Sequence, residues 1–338
     1  MKPILRIILL SICLYSCADN HEVPHAFEYN TEVIAVFTPL GIGNHSSSGL
    51  IYKGIIKATD ALNISFRPIF PLTYEDGAEI IAQLAGADQE GRKRLIISTD
   101  PEYSDYLREA ASKGLILDSE STKLLVLDGD LTHTDIHTAY IPFYGMMYKA
   151  GYVASRMTDV KNVRIDIANH KYRYIREGRD GFIDGFAQNT EGNVDIVDYS
   201  TSNDDNTEGF IQGTFAYITS AYECSGIYDM VLPICGETIM GYLRYNREHP
   251  GSFYTVGVEN DMSVYSSDVP FSCVEHLDRI VSACITDWVD NRLEQLRTFG
   301  LEDGWVELVV SENYKTALEP FSKEIHAKAL EMEERYEN

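Results

Sequence analysis

Carboxylates, hydroxyls and glycines recur just past short runs of Val, Ile and Leu, at the end of a parallel strand where a ligand is met. Glu259 and Asp261 follow FYTVGV at 253–258. A carboxylate there can accept two hydroxyl hydrogens at once, or it can cap the loop that follows. Asn44, His45, Ser46 and Ser48 follow VIAVF at 33–37 and open a helical stretch. Free backbone N–H groups at such a start can hold a polar ligand, while Asn44 or Ser46 also suits the N-cap. Thr99 and Asp100 follow RLII at 94–97, and Asp100 stands before Pro101, a helix-start signature. Gly236, Glu237 and Thr238 follow YDMVLPI at 228–234. The glycine permits close backbone approach, and Glu237 can meet a polar group. Phe143 and Tyr144 offer rings to stack on a base or sugar, or to fill a core. These residue types do binding chemistry: directional hydrogen bonds around an apolar platform, as a small polar ring compound needs.

Covalent chemistry has little support. The chain lacks a GxSxG elbow and an HExxH pair. His133 and His137 have i, i+4 spacing, but THTDIHTAY is Thr-rich and a poor helix, which argues against zinc. Gly41-Ile42-Gly43 lacks the third glycine of a dinucleotide fingerprint. Cys235 has no identifiable base and reads as a buried structural thiol. No cofactor and no metal are expected, and a hydrolase using the same cleft is the least favoured class.

Such residues need a scaffold, and the pattern supplies one. Strand-like runs at 33–37, 64–70, 94–97, 123–127, 162–167, 194–199, 228–234 and 253–258 alternate with segments of helical length. Leu50, Ile51, Gly54, Ile55, Ala58 and Leu62 form an i, i+3/i+4 stripe. Residues 274–298 read as the longest amphipathic helix, with Glu275 complementing its dipole. Residues 305–310 read as one more strand and 313–335 as a helical tail whose Glu331, Glu333 and Glu334 form a solvated face. Alternating β and α segments imply an α/β fold of two doubly wound parallel-sheet lobes joined by a hinge, with the ligand between them. The first lobe is expected over 32–141 plus about 264–300 and the second over 142–263, with 301–338 returning to the hinge or lobe surface.

The first residues, MKPILRIILLSICLYSC, join a basic start to an apolar run too short to span a bilayer. Leu14-Tyr15-Ser16-Cys17 resembles a bacterial lipobox, so 1–16 are expected to be a signal peptide, Cys17 the lipidated residue and 17–31 a tether. The body then sits in the cell envelope, at the outer membrane or the periplasmic face of the inner membrane. Ala18 favours the outer membrane. Of 338 residues, 28 are Lys or Arg against 52 Asp or Glu. That acidity excludes nucleic acid as a partner and leaves membrane attachment to the lipid. A monomer is expected. Cys273 and Cys284, in or beside one helix, would stand about 16 Å apart, beyond disulfide reach. Cys224 and Cys235 can pair, but buried free thiols are the simpler expectation.

Five segments carry a resemblance. They are VIAVFTPLGIGNHSSSG, FYGMMYKAGYVASRMT with Tyr148, Ala150 and Gly151, GRDGFIDGFAQ at 178–188, DMVLPICGETIMGYLR at 229–244, and VGVENDMS at 256–263. In order and spacing the chain resembles the basic membrane protein family of nucleoside-binding lipoproteins, within the type I periplasmic binding protein fold, over most of 32–312. The resemblance implies a lipid-anchored protein that closes on a small polar solute and hands it to an inner-membrane ABC permease. The alternative it leaves is a sensor whose closed form contacts a membrane receptor such as a kinase. The ligand loops depart from the family pattern. Pro39 and Asn44 replace acidic residues, Ser46 and Ser48 keep polar groups, and Glu259 replaces the ribose-binding Asp. Glu275 falls where the family has a Lys, which disfavours an anion and suits a neutral polyol or a cationic amine.

Overall fold

Apolar runs without polar alternation become strands covered on both faces. The computed structural model describes residues 30–43, 47–87, 91–129, 131–189, 191–201 and 216–337. Residues 1–29, which include the expected signal peptide and Cys17, lie outside these. In chain order the strands are β1 (Thr31–Val36), β2 (Ser65–Ile69), β3 (Lys93–Ser98), β4 (Thr122–Leu127), β5 (His137–Tyr140), β6 (Asn162–Ile167), β7 (Asn193–Asp198), β8 (Met230–Ile234), β9 (Tyr254–Thr255), β10 (Gly257–Glu259), β11 (Phe271–Glu275), β12 (Leu296–Thr298) and β13 (Val306–Val310). The main helices are α1 (Ser47–Leu62), α2 (Tyr74–Ala85), α3 (Ser104–Ser112), α4 (Tyr144–Ser155), α5 (Arg173–Phe186), α6 (Thr238–Glu248), α7 (Leu277–Val289), α8 (Lys315–Glu324) and α9 (His326–Glu337).

A six-stranded sheet has the order β12-β5-β4-β3-β1-β2 and a four-stranded sheet the order β7-β6-β8-β9. Every pairing in both is parallel. A third sheet, β10-β11-β13, is parallel on one side of β11 and antiparallel on the other. The chain crosses between sheets over very few residues. Thr255 belongs to the four-stranded sheet and Gly257 to the three-stranded one. Three residues separate β5 from α4. Such short crossings are where two lobes hinge.

The motifs at 143–158 and 178–188 turn out to be one contact. Helix α4 is buried all round, and α5 crosses it closely. A Cβ on Gly185 would stand 1.9 Å from the Tyr148 carbonyl oxygen, and one on Gly151 2.0 Å from that of Phe182. The glycines let the two backbones touch, which fixes the position of Phe143 at the head of α4 and Tyr174 at the head of α5. Glu177 of α5 reinforces the crossing. It accepts from the Tyr140 hydroxyl at 2.8 Å and from the Phe143 N–H at 3.0 Å.

The expected helix over 274–298 is instead three elements: β11, α7 and β12. Its core stripe is real, since Leu277, Ile280, Val281, Cys284, Ile285 and Trp288 are buried against α1. The helix stops because Asn291 takes a left-handed conformation (φ 58°) and the Arg292 N–H bonds back to the Asp287 carbonyl, a C-terminal motif. Upstream, FSCVE is buried at all five positions as the central strand of its sheet. Glu275 therefore ends a strand and does not open a helix. Strands β5 and β12, short and polar in composition, escape a search for apolar runs and pair with each other. The segment 253–258 divides between two sheets. Glu333 is not part of a solvated face: it is buried and accepts the Gly145 N–H at 3.1 Å, while Tyr336 stacks on Tyr144 at 4.3 Å. Cys224, Cys235, Cys273 and Cys284 are all buried free thiols.

Candidate ligand-binding cleft

The carboxyl ends of parallel strands from both large sheets meet the third sheet around one cavity of about 250 Å³. From the six-stranded side come Thr38 after β1, Asp100 after β3 and Asp128 directly after β4. Ser47 and Ser48, at the head of α1, line it too. The four-stranded side gives Cys235, Gly236 and Glu237 after β8, and Tyr174 at the head of α5. Glu259 ends β10, Glu275 ends β11, and Phe143 closes the wall from the crossing before α4. Placement at strand ends leaves side chains free to meet a ligand while their backbones stay locked in the ladders.

Local bonds fix several of these groups. The Ser47 N–H donates to the Glu259 carboxylate at 3.0 Å, joining the start of α1 to the end of β10. A helix N-terminus favours a carboxylate there. Glu259 itself sits at φ 68°, a costly conformation for a side chain of this size, which turns it out of the strand. Asp100 caps the short turn Pro101–Tyr103 by accepting the Glu102 N–H at 2.8 Å. Tyr74 bonds to Glu102 and to Asp100. Asp128 also has positive φ, 52°, with its N–H on the Ala139 carbonyl.

Six carboxylates thus face one cavity: Asp100, Glu102, Asp128, Glu237, Glu259 and Glu275. Among the described residues no Lys, Arg or His lines it. In four of the carboxylates, Asp100, Asp128, Glu259 and Glu275, burial and mutual repulsion hold the ionised form back. Burial pushes Asp100 up to about 6. Glu259 rises to about 7, through burial and then the charges of Asp100 and Glu237, against the opposing Ser47 bond. Glu275 reaches about 8 through burial and Glu259. Asp128 is raised well above the carboxylate range by burial, then by Glu275, Glu177, Asp100 and Glu259. Burial likewise pushes the Cys235 thiol well up, which opposes the thiolate that a nucleophile needs.

Of the residues singled out in the sequence, Ser48, Asp100, Phe143, Gly236, Glu237, Glu259 and Glu275 line this one cavity. Two do not. Thr238 is fully buried as the first residue of α6. Asp261 is exposed and caps the turn Met262–Val264 by accepting the Ser263 N–H at 3.0 Å. Asn44, His45 and Ser46 lie outside the described residues. Tyr144 turns away and donates to Asp184. Four wall residues escaped notice: Tyr74, Glu102, Asp128 and Tyr174. Asp128 had a signal, since it directly follows the apolar run at 123–127. Tyr174 had none, because its place depends on how α5 crosses α4.

One protein-family model, described as Bmp, ABC transporter substrate-binding protein PnrA-like, matches residues 31–336. No curated protein matches the chain. Among solved structures, a solute-binding protein of an ABC transporter system from Aeropyrum pernix K1 is similar at 14% identity and TM-score 0.67, over 90% of this chain and 85% of that one. A transcriptional activator of the comK gene from Bacillus halodurans is similar at 14% identity and TM-score 0.64, over 88% and 96%. An ABC transporter solute-binding protein from Agrobacterium vitis, solved with bound allitol, has 11% identity and TM-score 0.59, over 85% and 98%. At these identities the likeness is one of fold.

Proposed function

We propose, from the premise that this chain belongs to the PnrA-like family of ABC transporter substrate-binding proteins, that it captures one small polar organic solute between its lobes and delivers it to a membrane permease. The observation that carries this reading is the cavity, whose wall is shared by strand ends of both large sheets and closed by crossings of very few residues. A ligand touching both lobes binds the closed arrangement more tightly than the open one, and that difference drives closure. No covalent step is required.

The ring of carboxylates excludes an anionic solute and leaves neutral or cationic ones. A nucleoside is the neutral class implied by the family resemblance: Glu259 can accept ribose hydroxyls, and Phe143 or Tyr174 can cover a base. Acylation at Cys17 would hold the body in the envelope near the permease. No helix of the described residues is long and apolar enough to cross a membrane.

Thermal unfolding with panels of nucleosides, sugars and amines tests the reading. At a hundredfold excess over Kd, one solute should stabilise the chain by about 2.7 kcal/mol, bind one to one in calorimetry, and be recovered unchanged. Consumption of the solute, or silence across every panel, contradicts it.

A further inference from the structure

Five of the six cavity carboxylates fall into two sets, and the sixth, Glu237, is exposed. Asp100, Glu102 and Glu259 are partnered by backbone N–H groups or by Tyr74. Asp128 and Glu275 have no hydrogen-bond donor and no cation among the described residues. Glu275 is only 8% exposed, yet it lines the cavity at the end of β11, and the charge nearest in effect is another carboxylate, Glu259. The charges that act on Asp128 are those of Glu275, Glu177, Asp100 and Glu259, again all acidic. Ionising a carboxylate that has neither donor nor cation is costly, and buried Glu275 with part-buried Asp128 on one cavity wall leaves a need that a cationic ligand can satisfy.

The rest of the wall decides what kind of cation. Leu127, Ile234, Val258 and Leu277 are apolar, and Phe143 and Tyr174 present rings. Among the described residues no three His, Cys, Asp or Glu side chains stand close enough to hold a metal ion. Spread charge, apolar walls and aromatic faces suit an organic body with a protonated nitrogen, which rings also attract through their negative faces. We propose that the solute is an organic amine cation, held by the unpartnered carboxylates of Asp128 and Glu275 beside the rings of Phe143 and Tyr174. This rests on the solute-capture reading and narrows it to one charge class.

The test is thermal unfolding of the full chain with agmatine, spermidine, tyramine, histamine and choline, against adenosine, guanosine, uridine and ribose, and against calcium chloride. An amine should raise the melting temperature and bind one to one. Glu275→Gln and Asp128→Asn should each weaken that amine by about tenfold or more, as loss of a charge-assisted contact does, while Glu312→Gln, on the exposed surface, leaves it unchanged. Each variant's unliganded melting curve shows separately that it has folded. If a nucleoside or ribose stabilises the chain and no amine does, the charge assignment falls and solute capture stands. Stabilisation by calcium alone overturns the organic assignment. If an amine binds and both variants bind it equally well, the site is wrong. If no organic solute acts, both this inference and the capture reading fail.

Discussion

Gly185→Ala destabilises the chain by at least ~3 kcal/mol, through overpacking at a backbone contact. The added methyl would stand 1.9 Å from the Tyr148 carbonyl oxygen and 2.9 Å from the Tyr152 nitrogen. Neither atom can move without carrying α4 with it, and α4 is buried along its whole length. The helices must separate, which opens voids around Phe182 and Phe186. For a chain of this size the melting temperature should drop by about 6 °C or more. Gly251→Ala is the control. Gly251 has φ 77° but nothing within 4 Å of a Cβ, so it carries only the left-handed strain, about 1–2 kcal/mol. Equal losses at the two sites would mean that the crossing is not as tight as described.

Raising the pH from about 5 to about 9 should lower the stability of the empty chain, since the cleft carboxylates bind more protons folded than unfolded. The direction follows from their positions. Asp100 near 6, Glu259 near 7 and Glu275 near 8 all lie above the ordinary carboxylate range, and Asp128 is raised as well. Below the unfolded values near 4 every group is protonated in both states and no penalty exists. As the pH climbs, the unfolded chain ionises first, so stability is lost through the window from about 4 to about 8 and stays lost above it. Glu275→Gln removes one of these groups and should raise stability near pH 9 by on the order of 3 kcal/mol, while doing little near pH 5. The net charge of −24 also weakens the fold as acids ionise. The gap between wild type and variant isolates the cleft's share. A gap that does not widen with pH contradicts the assignment.

The sequence made the fold legible where local pattern and tertiary structure agree. Continuous apolar runs identify covered parallel strands because nothing else needs Val and Ile without alternation, and β1, β3, β4, β6 and β8 lie within a residue or two of those runs. The pattern failed where a short strand borrows its stability from neighbours. β5 has four residues and β12 three; β5 is held between β4 and β12, and β12 by β5. Glu275 lines the cavity from the end of a strand and not from a helix start: the helical stripe runs smoothly into a buried strand, since over five residues the two periods cannot be told apart. In the cleft, residues just past apolar runs were readable, and the same rule applied evenly would have included Asp128. Tyr74 and Tyr174 were not readable, because helix packing and not sequence spacing brings them to the wall.

The most direct test of the account is proton exchange on binding. Calorimetry of the stabilising solute near pH 7, in two buffers with different ionisation heats, reports the protons released per solute. An amine entering beside Asp128 and Glu275, with Glu259, Asp100, Glu177, Glu237 and Tyr174 around them, must draw the raised carboxylates, Asp128, Glu275, Glu259 and Asp100, into their ionised forms. About one proton should be released per solute, and fewer in Glu275→Gln. Binding that exchanges no protons and is indifferent to that substitution would contradict it.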